Sequence, residues 1–240
     1  MARYVLVHGA WHGAWCWNLL AERLRAAGHE VVTFDLPSLG DDHTPLAEVT
    51  LQSWIDHTVA VLADSPGPVL LVGHSMAGVV VTGAVNVMPE KVAAVIYLTA
   101  FVPLPGESLF DLATRPEGAA TRLLQLPTAD GLATIATAET AGAAFYGCCP
   151  PAEAAAAIAR LRPQALQPVL APLPAPSGDS THIPRVYIEC TEDGAIPIAL
   201  QRYMAGRING VRHHSLPTDH SPFVSMPDQL AQLLTGQSGG

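Results

Sequence analysis

The chain has 240 residues, of which 49% are hydrophobic and 14% charged, and its formal net charge is −9 at pH 7. This length suits one large α/β domain with an insertion, and it is too short for two such domains. The composition is typical of a globular protein, and the acidic balance leaves no basic surface for nucleic acid or an anionic membrane. We therefore expect the ligand to be a small neutral or apolar molecule.

The sequence carries no sign of targeting or membrane insertion. A strand starts at residue 4, which leaves no room for a charged leader, and no apolar run approaches the roughly 20 residues that a membrane span needs. We therefore expect a soluble, cytoplasmic protein. The four cysteines lack C-x-x-C spacing, and we expect free thiols at each of them: Cys16, Cys148, Cys149 and Cys190.

Strands alternate with helices through the first hundred residues. Apolar runs predict strands at residues 4–8, 29–35, 69–73 and 93–101. Helical spacing predicts helices at residues 14–27, before Gly28, and from a Thr50 N-cap to about residue 62. This alternation predicts an α/β fold with a parallel sheet and right-handed crossovers.

The regular alternation lapses between about residues 103 and 184, which are rich in Ala, Pro and Leu. We predict helices there at residues 109–113, 117–126 and 151–161, with no strand between them and a proline-rich return at 167–176. This pattern indicates a helical cap, 103–184, inserted into a core formed by 1–102 and 185–240. In the second part of the core, strands are predicted at 185–190 and 211–216, helices at 197–205 and 227–234, and a frayed tail at 236–240.

One stretch indicates a nucleophile. In Gly73-His-Ser-Met-Ala-Gly78 an apolar strand ends and a helix begins, so that Ser75 lies on a strand-to-helix turn. Such a turn strains the serine backbone and brings strand and helix close together, which requires small neighbours. The motif differs from the commoner G-x-S-x-G by alanine in the fifth place. We interpret it as a nucleophile elbow.

A serine nucleophile needs a base, and the base needs a carboxylate that fixes its tautomer. In the α/β-hydrolase fold the acid and then the histidine follow the serine, each on a loop after a later strand. His220 follows the last predicted strand, and Asp193 follows the strand at 185–190. Glu189 and Glu192 are rivals for the acid, and we interpret Asp219 as a loop or capping residue.

The oxyanion that forms during acyl transfer needs preorganised amide donors, one after the nucleophile and one from the loop after the first strand. Here these are the amides of Met76 and Ala10. His8 and His12 could suggest a metal pair, but Gly9 ends the strand between them and no H-E-x-x-H is present. We predict neither a metal nor a cofactor.

These motifs together resemble one group of α/β-hydrolases, which includes plant methylesterases, hydroxynitrile lyases and bacterial carboxylesterases, some of them pyrethroid-hydrolysing. The resemblance covers nearly the whole chain and rests on five stretches: Leu6-Val-His-Gly-Ala-Trp-His-Gly-Ala-Trp-Cys-Trp17, Gly73-His-Ser-Met-Ala-Gly78, Thr99-Ala-Phe-Val-Pro103, Glu192-Asp193 and Asp219-His-Ser-Pro-Phe223. It implies a six-stranded, mainly parallel sheet with helices on both faces. It also implies a Ser75, Asp193 and His220 triad with Ala10 and Met76 as oxyanion donors.

We therefore expect a serine carboxylesterase that acts on small to medium apolar esters through an acyl-enzyme, with a homodimer left open as its assembly. Four aromatic residues are candidates for the pocket wall, although a core position is the alternative for each: Trp11, Phe145, Tyr146 and Phe223.

Two alternatives are a hydroxynitrile lyase and a receptor that binds a small ligand without catalysis. The resembling lyases carry a lysine after the histidine, a glutamate before the nucleophile and a threonine in the oxyanion loop. This chain has Ser221, His74 and Gly9 at those positions.

Overall fold

The computed structural model describes residues 1–237. Gly236 ends the last helix, so the predicted tail does not begin there. The rest of that prediction, residues 238–240, lies outside the described residues. Within 1–237, no helix combines the length and the apolar character that crossing a membrane requires.

The core is a sheet of six parallel strands, as the sequence predicts. In chain order the sheet strands are β1 (Arg3–Val7), β2 (Glu30–Thr33), β3 (Val69–His74), β4 (Val92–Leu98), β8 (Arg185–Cys190) and β9 (Arg212–Leu216). Their spatial order is β2-β1-β3-β4-β8-β9. Strand β3, which leads to Ser75, is central and buried along its whole length, so the elbow lies in the middle of the carboxyl edge of the sheet.

Helices cover both faces of this sheet, because successive side chains of each strand point to opposite sides. Val5 and Val7 belong to the apolar cluster with α2 and α3, whereas Tyr4 and Leu6 belong to the cluster with α1 and α10. The helices of the core are α1 (Asn18–Ala26), α2 (Leu51–Ala63), α3 (Ala77–Val87), α8 (Ile198–Ala205), α9 (Pro222–Ser225) and α10 (Pro227–Gly236). The predicted Thr50 cap is confirmed: its hydroxyl accepts the Ser53 amide at 3.0 Å.

The segment between β4 and β8 differs from the prediction, because it is not purely helical. It contains α4 (Leu109–Ala113), α5 (Ala138–Phe145), α6 (Pro151–Ile158), α7 (Gln167–Leu170) and an antiparallel sheet of β5 (Gln125–Pro127), β6 (Ala133–Ala136) and β7 (Gln164–Ala165). We call this segment, residues 103–184, the insertion. The predicted helices at 109–113 and 151–161 are present, the second one shorter.

The predicted helix at 117–126 is wrong. Only the 3₁₀ turn Pro116–Gly118 and strand β5 form there. The physical reason lies in the turn that follows, where Gly131 has φ 71° and the Asp130 carboxylate accepts the Leu132 amide at 3.0 Å. This turn pairs β5 with β6 as a hairpin, and that pairing overrides the helical preference of the surrounding residues.

Candidate active site

Ser75 lies on the turn between β3 and α3 with φ 55°, a left-handed backbone conformation that costs a non-glycine residue about 1–3 kcal/mol. Backbone hydrogen bonds to the end of the adjacent strand hold it there. The Ser75 amide donates to the Leu98 carbonyl at 3.2 Å, and the Ser75 carbonyl accepts the Phe101 amide at 3.0 Å. The sharp turn predicted from the sequence is therefore present, and it places Ser75, which is 7% exposed, at the carboxyl edge of the sheet.

The turn requires small neighbours, as the sequence analysis predicts. A Cβ atom added to Gly73 would lie 2.7 Å from a Val81 methyl and 2.9 Å from the Ala77 carbonyl oxygen. One added to Gly78 would collide with the Phe101 carbonyl. Both glycines thus permit the close approach of α3 to β3 and to the chain after β4.

Asp193 is buried in the loop after β8, with both carboxylate oxygens bonded. Oδ1 accepts the amides of Ala195 and Ile196 at 2.7 and 2.8 Å. Oδ2 accepts His220 Nδ1 at 2.7 Å and also the Thr99 hydroxyl. These bonds aim one oxygen at the imidazole and leave the carboxylate little freedom to rotate.

His220 is 2% exposed and follows β9. Because its Nδ1 faces a carboxylate, the proton of the neutral ring lies on Nδ1, and Nε2 is left as the acceptor. His74, the residue before Ser75, holds the loop that carries His220. Its Nε2 donates to the His220 carbonyl at 2.8 Å, and the centroids of the two imidazole rings are 4.6 Å apart. The histidine loop and the elbow are thus bonded to each other directly.

The rivals of Asp193 lie elsewhere. Glu192 is exposed. Glu189 pairs with Arg202 at 2.9 Å and with His213 at 3.2 Å. Asp219 accepts the backbone amide of Cys148 at 2.7 Å, so it joins the histidine loop to the insertion. The hydrogen bond to His220 therefore favours Asp193.

Ala10 and Met76, whose amides are the predicted oxyanion donors, both line the cavity that Ser75 also lines. In the part of the chain that the structure describes, neither amide donates to another protein group. The carbonyl before the Ala10 amide is held by His8, whose Nδ1 donates to Gly9 O at 2.9 Å while its Nε2 accepts the Leu36 amide at 3.1 Å. Both amides are therefore available to bind an oxyanion.

The cavity beside Ser75 has a volume of about 420 Å³ and lies between the sheet edge and the insertion. Its walls carry aliphatic and aromatic side chains with a few neutral polar ones, and no charged side chain from residues 1–237 lines it. Of the predicted wall residues, Trp11 and Phe145 do line it.

Tyr146 and Phe223 do not line the cavity, so that prediction is wrong for both. Tyr146 turns away to bond His12 Nε2 at 2.6 Å. Phe223 is fully buried, and its ring packs against Trp17 and His74 with centroid distances of 5.0 Å. The core alternative considered for each aromatic residue therefore holds for these two.

Two residues that sequence analysis did not assign support the acid. Thr99 has φ 37° and donates its hydroxyl to Asp193 Oδ2. Gln201 in α8 donates to the carbonyls of Cys190 and Ile196, at 2.9 and 2.8 Å, on either side of Asp193. Two signals in the sequence pointed to Thr99: its position directly after β4 and its place in one of the five stretches that carry the resemblance.

In His8 and His12 both ring nitrogens bond protein groups: each Nδ1 donates to a backbone carbonyl, and the Nε2 atoms accept the Leu36 amide and the Tyr146 hydroxyl respectively, so neither ring has a lone pair free for a metal. Among residues 1–237, no group of three or more His, Cys, Asp or Glu side chains is placed to hold a metal ion.

Comparison with known proteins agrees with this geometry. A family model described as alpha/beta hydrolase family matches residues 4–233. A pyrethroid hydrolase of Sphingobium wenxiniae is 32% identical over 96% of this chain and 85% of its own length. A carbendazim hydrolyzing esterase of a Nocardioides species is 36% identical over 98% of both chains. The crystal structure of a pyrethroid hydrolase from Sphingobium faniae superposes with a TM-score of 0.84 at 30% identity, covering 98% of this chain and 96% of that one.

The chain belongs to the alpha/beta hydrolase family. A crystal structure of a methylesterase from Arabidopsis is similar to it as well, with a TM-score of 0.85, 27% identity and 99% of each chain covered. The resemblance stated from the sequence and the predicted fold class are thereby confirmed.

The buried histidines predict acid sensitivity. Burial lowers the pKa values of His8, His12 and His74, that of His12 to about 3, whereas in the unfolded chain they titrate near 6.5. Below pH 6.5 the unfolded state therefore binds more protons, and stability falls as the pH falls, by about 1.4 kcal/mol per pH unit for each such histidine. Urea unfolding at pH values from 7 to 4.5 measures this slope.

A His8→Asn variant should lessen the fall in stability with falling pH, because burial lowers the pKa of His8, and the exposed His43→Gln variant is the surface control. An unfolding free energy that stays constant between pH 6.5 and 4.5 would contradict the assignment of neutral histidines.

Proposed function

We propose that this carboxylic ester hydrolase of the alpha/beta hydrolase family cleaves small to medium apolar carboxylic esters through an acyl-enzyme on Ser75. The observation that carries the proposal is the hydrogen bond between Asp193 and His220, together with a cavity lined by Ser75, Ala10 and Met76. No cofactor is needed, because the chain supplies the nucleophile, base, orienting acid and oxyanion donors.

The proposed reaction has two halves. His220 Nε2 takes the proton of Ser75 as the hydroxyl oxygen attacks the ester carbonyl, and the amides of Ala10 and Met76 bind the oxyanion. His220 then gives that proton to the departing alcohol. In the second half His220 removes a proton from water, the hydroxide attacks the acyl-enzyme, and Ser75 is protonated again as the carboxylic acid leaves.

The lining of the cavity supports the choice of substrate. A volume of about 420 Å³ with uncharged walls suits an apolar acyl or alcohol group. A charged group bound there would lose its hydration without gaining a partner, which is costly. Relatives named pyrethroid hydrolase, carbendazim hydrolyzing esterase and methylesterase favour an ester as the substrate.

The site lacks what cyanohydrin cleavage uses in the resembling lyases. Ser221 is buried and uncharged, so it cannot neutralise cyanide as a lysine would. A Cβ atom on Gly9 would lie 2.9 Å from Ser75 Cβ and 2.8 Å from His74 Nδ1, so a threonine does not fit beside this elbow. These features favour hydrolysis over lyase activity.

The nucleophile is tested by Ser75→Ala. Because the oxyanion donors alone provide only a small part of triad catalysis, we expect turnover of p-nitrophenyl butyrate to fall by at least about 10³-fold. Circular dichroism and thermal unfolding should show a folded protein. Full activity in a folded Ser75→Ala protein would refute the mechanism.

The acid is tested by a matched pair of amide substitutions at adjacent positions. Asp193→Asn should lower kcat by about 10⁴, because an amide stabilises the wrong imidazole tautomer. Glu192→Gln removes an exposed carboxylate one residue away and should leave kcat within a few-fold of the wild type. The assignment fails if the Glu192 variant is the more damaged of the two.

The substrate class is tested with two esters of equal chain length. The ammonium of p-nitrophenyl 6-aminohexanoate replaces the terminal methyl of p-nitrophenyl heptanoate. Since desolvation of an unpaired ion costs several kcal/mol, we expect kcat/KM to be at least about 10²-fold lower for the charged ester. Equal kcat/KM values for the two esters would contradict an uncharged pocket.

A separate assay with mandelonitrile tests the reaction class. Efficient mandelonitrile cleavage with negligible ester turnover would identify the enzyme as a lyase instead of a hydrolase.

A further inference from the structure

The peptide group between Ala10 and Trp11 is bonded at both ends. Its carbonyl, that of Ala10, accepts a hydrogen bond from His12 Nδ1 at 2.7 Å. Its amide, that of Trp11, donates to Gln164 Oε1 at 3.3 Å. Trp11 has φ 61°, so the chain turns sharply at this point. The peptide that directly follows the Ala10 amide, a proposed oxyanion donor, is therefore held by side chains on both sides.

The second ring nitrogen of His12 has a partner from the insertion. The Tyr146 hydroxyl donates to His12 Nε2 at 2.6 Å, and both side chains are almost fully buried. Burial lowers the pKa of His12 to about 3, so the ring is neutral at physiological pH. A neutral imidazole has one donor and one acceptor nitrogen. Because the Tyr146 hydroxyl donates to Nε2, the ring proton lies on Nδ1, and Nδ1 donates it to the Ala10 carbonyl.

Further bonds join this loop to the insertion. Trp11 Nε1 donates to the Thr134 carbonyl at 3.1 Å, and the Arg162 amide donates to the Trp11 carbonyl at 2.9 Å. Tyr146, Gln164, Thr134 and Arg162 all belong to the insertion, which therefore determines where the loop lies.

We propose that His12 is a positioning residue for the Ala10 amide, with its donor nitrogen on the Ala10 carbonyl and its acceptor nitrogen bonded by Tyr146. This proposal rests on the proposed function, because it concerns the oxyanion donor of that reaction. Without the His12 donor, the Ala10–Trp11 peptide keeps its bond to Gln164 but its carbonyl loses this partner, so the peptide can tilt and displace the Ala10 amide. A displacement of about 1 Å in such a group can cost about 10²-fold in rate.

Two substitutions at His12 separate the donor from the bulk of the ring. Asparagine places an amide nitrogen near the position of Nδ1, so His12→Asn can still donate to the Ala10 carbonyl. Glutamine places its polar atoms near Nε2, so His12→Gln can still bond Tyr146 but leaves the Ala10 carbonyl unpaired. Both variants lose the ring contacts with Trp15 and Phe145, which makes each the packing control of the other.

We expect His12→Gln to lower kcat for p-nitrophenyl butyrate by about 10–10²-fold with KM nearly unchanged. His12→Asn should retain the larger part of kcat. The affinity for an aryl trifluoromethyl ketone, which forms a tetrahedral oxyanion adduct with a serine, should fall in parallel with kcat. A change that affected only folding would lower the active fraction and leave the affinity of the remaining enzyme unaltered.

The role of Tyr146 is tested by Tyr146→Phe, which removes only the hydroxyl. We expect a several-fold loss of kcat and of affinity for the ketone. Tyr4→Phe is the matched control, because it also removes a buried hydroxyl. The Tyr4 hydroxyl donates to the Leu234 carbonyl in α10, within the apolar cluster that contains α1 and α10. We expect the Tyr4→Phe variant to change in stability while its kcat stays at the wild-type value.

The outcomes separate this inference from the proposed function. If Ser75→Ala is inactive and folded His12→Gln keeps the wild-type kcat and ketone affinity, the positioning role is wrong while the mechanism stands. Equal losses in His12→Gln and His12→Asn would assign the effect to ring packing and also overturn the role. If Ser75→Ala remains active, the proposed function itself fails. If the His12 variants do not fold, the comparison of Tyr146→Phe with Tyr4→Phe tests the role. A kcat and a ketone affinity that stay at the wild-type values in Tyr146→Phe would then overturn it.

Discussion

The left-handed backbone at Ser75 is the constraint on which the rest of the site depends. Its strain, of about 1–3 kcal/mol, persists only where the surroundings fix the chain. Here the last residue of β4 and the chain just after it supply the two backbone partners, Leu98 O and the Phe101 amide. The same stretch contains Thr99, which bonds Asp193. One strand end thus holds the nucleophile turn and the acid, so the two cannot move independently.

Buried neutral histidines position the loops around this turn. His8, His12 and His74 donate to the carbonyls of Gly9, Ala10 and His220 respectively. Burial lowers the pKa of all three, since the charged form would lose its hydration. A neutral imidazole donates one hydrogen bond in a fixed plane without placing a charge beside the developing oxyanion. The presence of His8, His12 and His74 near the site is thus explained by their hydrogen bonds to the backbone.

The sequence predicted the parts of the site that short local patterns determine. Ser75 was predicted from the glycines on both sides of the turn, and Asp193 and His220 from their loops after recognisable strands; the structure brings the last two into hydrogen-bond contact. The β5–β6 hairpin could not be found in the same way, because its three-residue strand gains stability only by pairing. Tyr146 was predicted in the pocket wall from its aromatic character, but its hydroxyl partner, His12, is 134 residues away.

The insertion does more than cover the pocket, because it bonds all three loops of the proposed site. The Arg122 amide donates to Gly194 O at 2.6 Å in the acid loop, and the Cys148 amide donates to Asp219 at 2.7 Å in the histidine loop. Tyr146 reaches the oxyanion loop through His12. The insertion also supplies much of the apolar wall of the cavity. A change in the insertion that reshapes the pocket can therefore displace the groups that carry out the chemistry, so specificity and turnover are physically coupled in this fold.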